Sequence, residues 1–343
     1  MPVRTVFVVG AGASAAVSPT PILTQTLLAD VLAEVDNYPH DAVSKARAFT
    51  DFLAGTTETP DHRVPGLYDV LSLIDFAIAR RAPLGAAWPV ERLRAVREAV
   101  VSLIFHCIET KIDGTAAKSD TLAQLVRHIV SEGRSAAVVN LNWDSLIEEA
   151  VFRRRSRDLR TLDYGLPCCD KSGTAIEPLR TAMLILKPHG SLSWHYCSVC
   201  ATVIVFLPRS DSRDRPSSCP KCHQKTPLEA VVVAPTLMDW AEPPFLEQLW
   251  TTAEQLIAEC SRLVFVGYSL PEQDLDVRFH IIRGLARRTS PAQILVIVKQ
   301  HQGIGDEKQR FTSMLGGYGP IDYRAYANGL ADWVPVGLTR DLT

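Results

Sequence analysis

Four groups of residues in this chain are of types that do chemistry, and each follows a short apolar run. The first is Gly10-Ala11-Gly12-Ala-Ser14-Ala15, directly after Val6–Val9. It satisfies G-x-G-x-x-[G/A], in which glycines permit a tight turn and a close approach of backbone to a pyrophosphate. The second is Asn140-Leu-Asn142-Trp-Asp144, after Ala136–Val139. The third is Lys187-Pro-His189-Gly190-Ser191, after Met183–Leu186, and it offers an imidazole for proton transfer. The fourth is Gly267-Tyr-Ser269-Leu-Pro-Glu-Gln-Asp274, after Leu263–Val266, with amides and a hydroxyl suited to a ribose or phosphate. The last three have plainer alternatives. Asn142 and Asp144 could simply cap the helix predicted over Ser145–Phe152. Asp274 and Asp276 could bind ribose hydroxyls or merely begin the next helix, and a lone histidine is often structural.

A fifth group is of another kind. Cys197, Cys200, Cys219 and Cys222 read C-x2-C-x18-C-x2-C, the spacing of two knuckles that supply four thiolates to a tetrahedral zinc ion. A closed four-cysteine site is structural, so zinc is assigned no catalytic part. Pro216, Pro220 and the polar run from Arg209 to Arg215 suit a small exposed ribbon. Cys107 and Cys260 fall in apolar helical patterns and are expected in the core. The vicinal pair Cys168 and Cys169 receives no role.

The elements that position these groups alternate. Val6–Val9, Ala136–Val139, Met183–Leu186, Ala230–Ala234, Leu263–Val266 and Ile294–Val298 are apolar on successive residues, as in strands buried on both faces of a parallel sheet. Helical patterns lie between them. Thr20 and Pro21 suit an N-cap and first helical position for Ile22–Val35, and Leu246, Leu249, Trp250, Ala253, Leu256 and Ile257 mark one helix face. From about 38 to 130 no strand is expected, only helices over Tyr68–Ala79, Val90–Ile112 and Thr121–Ile129. The predicted fold is therefore α/β: a Rossmann-like doubly wound parallel sheet with a helical insertion and a small zinc ribbon. The core is assigned to 1–37, 130–194 and 228–343, the insertion to 38–129, and the ribbon to 195–227. Ligands of such sheets bind beyond the carboxyl ends of the strands, so the four groups should share one crevice.

The chain of 343 residues carries 36 basic and 38 acidic side chains, a net charge of −2. That balance excludes a generally basic nucleic-acid binder. No run approaches the roughly 18 apolar residues of a membrane helix. Met1-Pro-Val-Arg-Thr leads straight into a strand pattern rather than a secretory signal, so a cytoplasmic protein is expected. An ordinary dinucleotide dehydrogenase carries an acidic residue roughly 20 positions after the glycine turn. Here the next strand begins near Ala136, which disfavours that class.

In order along the chain, Gly10-Ala-Gly-Ala-Ser14, Asn142-Trp-Asp144, His189-Gly190, the two cysteine pairs and Gly267-Tyr-Ser269 resemble the sirtuin (SIR2-like) superfamily. The likeness covers nearly everything outside the helical insert, and it is closest to the bacterial SIR2-like proteins of antiphage defence. The resemblance implies NAD+ as substrate, cleavage of its nicotinamide–ribose bond, and a structural zinc. It places Gly10, Ala11 and Gly12 at the pyrophosphate and Ser14 near the nicotinamide ribose. Asn142 would orient that ribose or an attacking water, Asp144 would meet the carboxamide, and His189 would be the general base. Gly267 and Ser269 would contact the adenosine half, with Val298 on the adenine side.

Three departures from protein-deacetylating sirtuins bear on the reaction. Ala15-Ala-Val-Ser-Pro-Thr-Pro-Ile22 replaces the Gly-Ile-Pro-Asp-Phe-Arg segment, Leu141 replaces the Gln before the Asn, and Val233-Ala-Pro-Thr-Leu237 stands where Phe-Gly-Glu clamps the peptide. They favour water as acceptor and hence an NAD+ hydrolase acting in defence by NAD+ depletion. The alternatives are an NAD-dependent deacylase or ADP-ribosyltransferase, or a non-catalytic subunit binding NAD or ADP-ribose. The insert is expected to serve homo-oligomer contacts or a regulatory partner. By resemblance, a separately encoded ATPase or nuclease is a further partner.

Overall fold

The computed structural model describes residues 3–17, 27–55, 65–112, 120–154, 157–206, 218–225, 228–232 and 244–342. The chain opens with β1 (Thr5–Val9) and a short helix α1 (Ala11–Ala15), then runs through α2 (Leu27–Ala33), α3 (His40–Ala54), α4 (Leu67–Ala79), α5 (Val90–Ile112) and α6 (Asp120–Glu132). Strand β2 (Ala136–Asn140) and helix α7 (Leu146–Arg154) follow, then β3 (Leu162–Asp163), β4 (Cys168–Cys169), β5 (Met183–Leu186), β6 (Gly190–Cys197), β7 (Thr202–Val205) and β8 (Glu229–Val232). The last part is α8 (Pro244–Glu259), β9 (Arg262–Val266), α9 (Leu275–Ala286), β10 (Gln293–Lys299), α10 (Ile304–Leu315), β11 (Ile321–Tyr326) and α11 (Leu330–Leu342).

Seven strands form one parallel sheet in the order β11-β10-β9-β1-β2-β5-β3. Starting from the centre, the chain adds β2, β3 and β5 on one side of β1 and then β9, β10 and β11 on the other. The order reverses between β1 and β9, which is where doubly wound sheets open a ligand crevice. All five residues of β1 and of β2 are buried, which explains their unbroken apolar runs: a central parallel strand is covered on both faces. Helices cover the sheet, α6 packing on α7 and α11 and α8 on α9. Among the described residues from 38 to 130 only helices and short turns occur, with α3, α4 and α2 packed on α5. The helix expected at Ile22–Val35 is described as Leu27–Ala33; Thr20 and Pro21 lie outside the described residues.

One strand differs from expectation. The apolar run at Ala230–Ala234 predicts a strand of the parallel sheet, but β8 pairs antiparallel with β6 in a second sheet ordered β4-β7-β6-β8, and residues 233 and 234 lie outside the described residues. The physical reason is Gly190. It sits at φ +79, and a Cβ there would lie 2.1 Å from the carbonyl oxygen of Val231. This close approach turns the chain out of the main sheet directly after His189. The cysteine pair without a role, Cys168 and Cys169, forms the edge strand β4 of the same small sheet. Among the described residues no helix is long and apolar enough to cross a membrane.

Candidate active site at the sheet switch point

The four polar groups meet at the carboxyl ends of β1, β2, β5 and β9. Gly10 N donates to Val266 O at 3.0 Å, Gly12 N to Gly267 O at 2.8 Å, and Gly267 N to Ile297 O at 2.8 Å. Two turns are thus joined backbone to backbone, to each other and to strands β9 and β10. Gly267 has φ +61, and a Cβ on it would lie 2.2 Å from Ala13 N. A Cβ on Gly10 or Gly12 would in turn come within 2.8 Å of Gly267 O. The glycines are therefore required by the mutual approach of two turns, and Gly12 N is already engaged inside the protein.

On the other side of β1 the contacts are made by side chains. Ser14 Oγ donates to Asp144 Oδ2 at 2.6 Å, while Asn142 Nδ2 donates to Ser14 Oγ at 2.9 Å and to Gly10 O at 3.0 Å. Ser14 and Asp144 are buried, and Asn142 is half-buried. Asp144 also accepts from Leu146 N at 3.1 Å through Oδ1, so the capping alternative holds for this residue alongside its bond to Ser14. Asn142 makes no capping bond among the described residues; its amide fastens the glycine turn to the end of β2. Asn140 accepts from Asn142 N at 3.1 Å, and its own Nδ2 is buried with no hydrogen-bond partner among the described residues.

His189 follows β5 and is 9% exposed. Its ring meets Trp250 of α8 edge-on, with centroids 5.9 Å apart, and Trp250 stacks on His280 of α9 at 4.4 Å. Burial opposes charge on His280, but hydrogen bonds to Asp276 and Glu254 outweigh it and raise its pKa. Tyr268 Oη donates to Asp274 Oδ2 at 3.0 Å. Burial pushes the Asp274 carboxyl up, opposed by the nearby imidazole of His189 and the Tyr268 hydroxyl. Ser269 is half-buried and its carbonyl accepts from Arg310 Nη2 at 3.3 Å. Val298 is buried in β10 beside Ile297, the residue that holds Gly267.

Several residues at this place escaped the sequence reading. Lys187 and Glu148 form a fully buried ion pair at 2.8 Å beneath Asp144. A lysine closing an otherwise apolar strand run was the available signal, since charged side chains are seldom buried unless paired. Trp250 was visible only as a helix-face residue, and nothing in the local pattern marked His280. Of the departures from deacetylating sirtuins, residues 18–22 and 233–237 lie outside the described residues.

The cysteine cluster assembles as its spacing predicts. The Sγ atoms of Cys197, Cys200, Cys219 and Cys222 all lie within 4.8 Å of one another, with Cys197–Cys222 at 3.8 Å and Cys200–Cys219 at 3.7 Å. Zinc–sulfur bonds of about 2.3 Å in a tetrahedron require sulfurs about 3.8 Å apart, so the donor set fits zinc. Burial raises the Cys219 thiol, but backbone amides of Cys222 and Lys221 bring it down, while the neighbouring thiols push Cys222 up and burial pushes Cys197 up. Cys169 packs against this cluster, and Cys107 and Cys260 are buried.

No family model and no curated protein matches the chain. Among solved structures it is similar to a Sir2 homologue in complex with NAD, at 14% identity over 99% of this chain and 91% of the other, with a TM-score of 0.49. It is also similar to Sir2 bound to an acetylated peptide, at 12% identity, 97% and 90% coverage and a TM-score of 0.42. A third is Sir2 with a p53 peptide and NAD+, at 14% identity, 97% and 90% coverage and a TM-score of 0.39. Similarity at this level assigns neither family nor activity to this chain.

Proposed function

We propose that the protein is a SIR2-like NAD+ hydrolase, cleaving the nicotinamide–ribose bond to give nicotinamide and ADP-ribose. The observation that supports this reading is that Gly10–Ser14, Asn142, Asp144 and Gly267 are hydrogen-bonded together at the carboxyl ends of β1, β2 and β9, with His189 at the carboxyl end of the neighbouring β5, in the order of the SIR2 motifs. Nicotinamide leaves NAD+ as a neutral group while the ribose gains cationic character. What the protein supplies is orientation, a site shielded from bulk water, and a base. Asn142, its Nδ2 already engaged, would offer its carbonyl oxygen to a ribose hydroxyl or the attacking water. His189 would accept the proton, and Asp144, held by Ser14, would meet the carboxamide. The backbone turns at Gly10–Gly12 and Gly267–Ser269 would carry the pyrophosphate and adenosine, with Val298 on the adenine side. Zinc would hold the ribbon and take no part in the reaction.

In this reading the cytoplasmic enzyme acts in antiphage defence by depleting NAD+, and the helices between β1 and β2 serve homo-oligomer contacts or a regulatory partner such as an ATPase or nuclease. The test is nicotinamide release from NAD+ by purified protein without acyl peptide, with Asn142→Ala and His189→Ala alongside. Release by the wild type and not by Asn142→Ala is expected. His189→Ala should lose turnover while binding NAD+ within about tenfold of wild type, or ~1.4 kcal/mol. Release that requires an acylated peptide would make the protein a deacylase instead. Binding without turnover under both conditions would make it a nucleotide-binding subunit.

A further inference from the structure

Asn142 and His189 follow different strands, β2 and β5, and a reaction that uses both needs them at a fixed separation. Lys187 spans that gap. Its side chain is 0% exposed, and its ammonium donates to Asp144 O at 2.5 Å, Glu148 Oε1 at 2.8 Å and Ser191 Oγ at 2.9 Å. An ammonium has three N–H donors, and all three are used. The acceptors belong to three pieces of chain: the turn two residues beyond Asn142, the first turn of α7, and the start of β6 two residues beyond His189.

Stability alone does not account for this arrangement. Taking a lysine and a carboxylate out of water costs about as much as their attraction returns, and an apolar pair of similar volume often serves a core as well. Here burial pushes the Glu148 carboxyl up even against the Lys187 charge, and Glu148 Oε2 is buried with no hydrogen-bond partner among the described residues. What the ammonium does provide is geometry. Leu192 N donates to Trp143 O at 2.9 Å and links the same two turns through backbone, but Lys187 ties both turns to α7 at once.

We propose that Lys187 is a positioning residue that sets the Asn142–Asp144 turn against His189. The proposal rests on the NAD+ reading of this site. Its test compares wild type, Glu148→Gln, and the double variant Lys187→Met/Glu148→Gln, which removes the cation without leaving a buried unpaired carboxylate. Nicotinamide release and unfolding by urea are measured for each. Glu148→Gln, which keeps the other two bonds of Lys187, should retain kcat within about threefold. The double variant should fold, keep KM within about threefold and lose about 100-fold or more in kcat. A double variant that turns over like Glu148→Gln overturns the proposal. So does a Glu148→Gln protein as impaired as the double variant, since the ion pair and not the reach of Lys187 would then matter.

Ser191→Ala cuts one arm only and covers the case in which the double variant does not fold. It should lower kcat about tenfold at unchanged KM, and unchanged kcat overturns the proposal. Should wild type release no nicotinamide, the NAD+ reading fails by itself, and amide hydrogen exchange decides about Lys187. Exchange at residues 142–146 and 189–192 should then quicken about tenfold or more in the double variant, or in Ser191→Ala should the double variant not fold, with β9 to β11 unchanged. Unchanged exchange at both turns would sink it.

Discussion

The two sides of the sheet's switch point are held by different physics. On the β2 and β5 side, side chains make the structure: Asn142 to Ser14, Ser14 to Asp144, and Lys187 to Asp144, Glu148 and Ser191. On the β9 and β10 side, backbone meets backbone, with Gly10, Gly12 and Gly267 packed too closely for any Cβ. A side-chain network can lose one member and keep its fold, because the cost is one unsatisfied polar group. A contact between two turns has no such tolerance, because added volume falls on main chain that has nowhere to move. The difference separates the scaffold from the side where chemistry can be tuned.

Three substitutions break or sharpen this contrast. The largest effect is expected for Gly267→Val. A β-branched residue at φ +61 is strained, and its Cβ would strike Ala13 N. The loss should exceed about 4 kcal/mol, read as insoluble or unfolded protein by circular dichroism. A well-folded, stable Gly267→Val protein would remove the contrast. Ser14→Ala, on the side-chain half, should cost about 1–3 kcal/mol in urea unfolding, since buried Asp144 and half-buried Asn142 each lose a partner. Folding as stable as wild type would show that water replaces the hydroxyl.

The smallest effect is a pH dependence on the α8–α9 flank. His280 has its pKa raised above the ordinary 6.5 by Glu254 and Asp276, with Arg283 and Arg287 also facing Glu254. A histidine raised in the folded state adds stability that is complete below its unfolded pKa and lost as pH climbs through the folded one. The stability gap between wild type and His280→Gln should therefore be larger near about pH 6 than near about pH 9. A gap that grows toward alkaline pH would mean that His280 folds neutral.

Much of the frame was legible because burial on two faces leaves a plain record. Five of the six apolar runs are strands of the parallel sheet, and four cysteines in two close pairs come together around one point. The strand β11, at the sheet edge, was not legible: Ile321-Asp-Tyr-Arg-Ala-Tyr326 is only partly covered, so polar residues interrupt it. Nor was the destination of β8, since an apolar run says that a strand is buried and not which sheet buries it.

The same division runs through the crevice. Residue type and place in the order of strands brought Gly10–Ser14, Asn142, Asp144, His189 and Gly267 to one end of the sheet, because a parallel sheet carries all its carboxyl ends on one edge. Which of them bond to each other, and that a buried Lys187 stands beneath them, was decided by tertiary structure alone. Hydrogen bonds between residues 130 positions apart, such as Ser14 to Asp144, depend on distances of tenths of an ångström that no local pattern encodes.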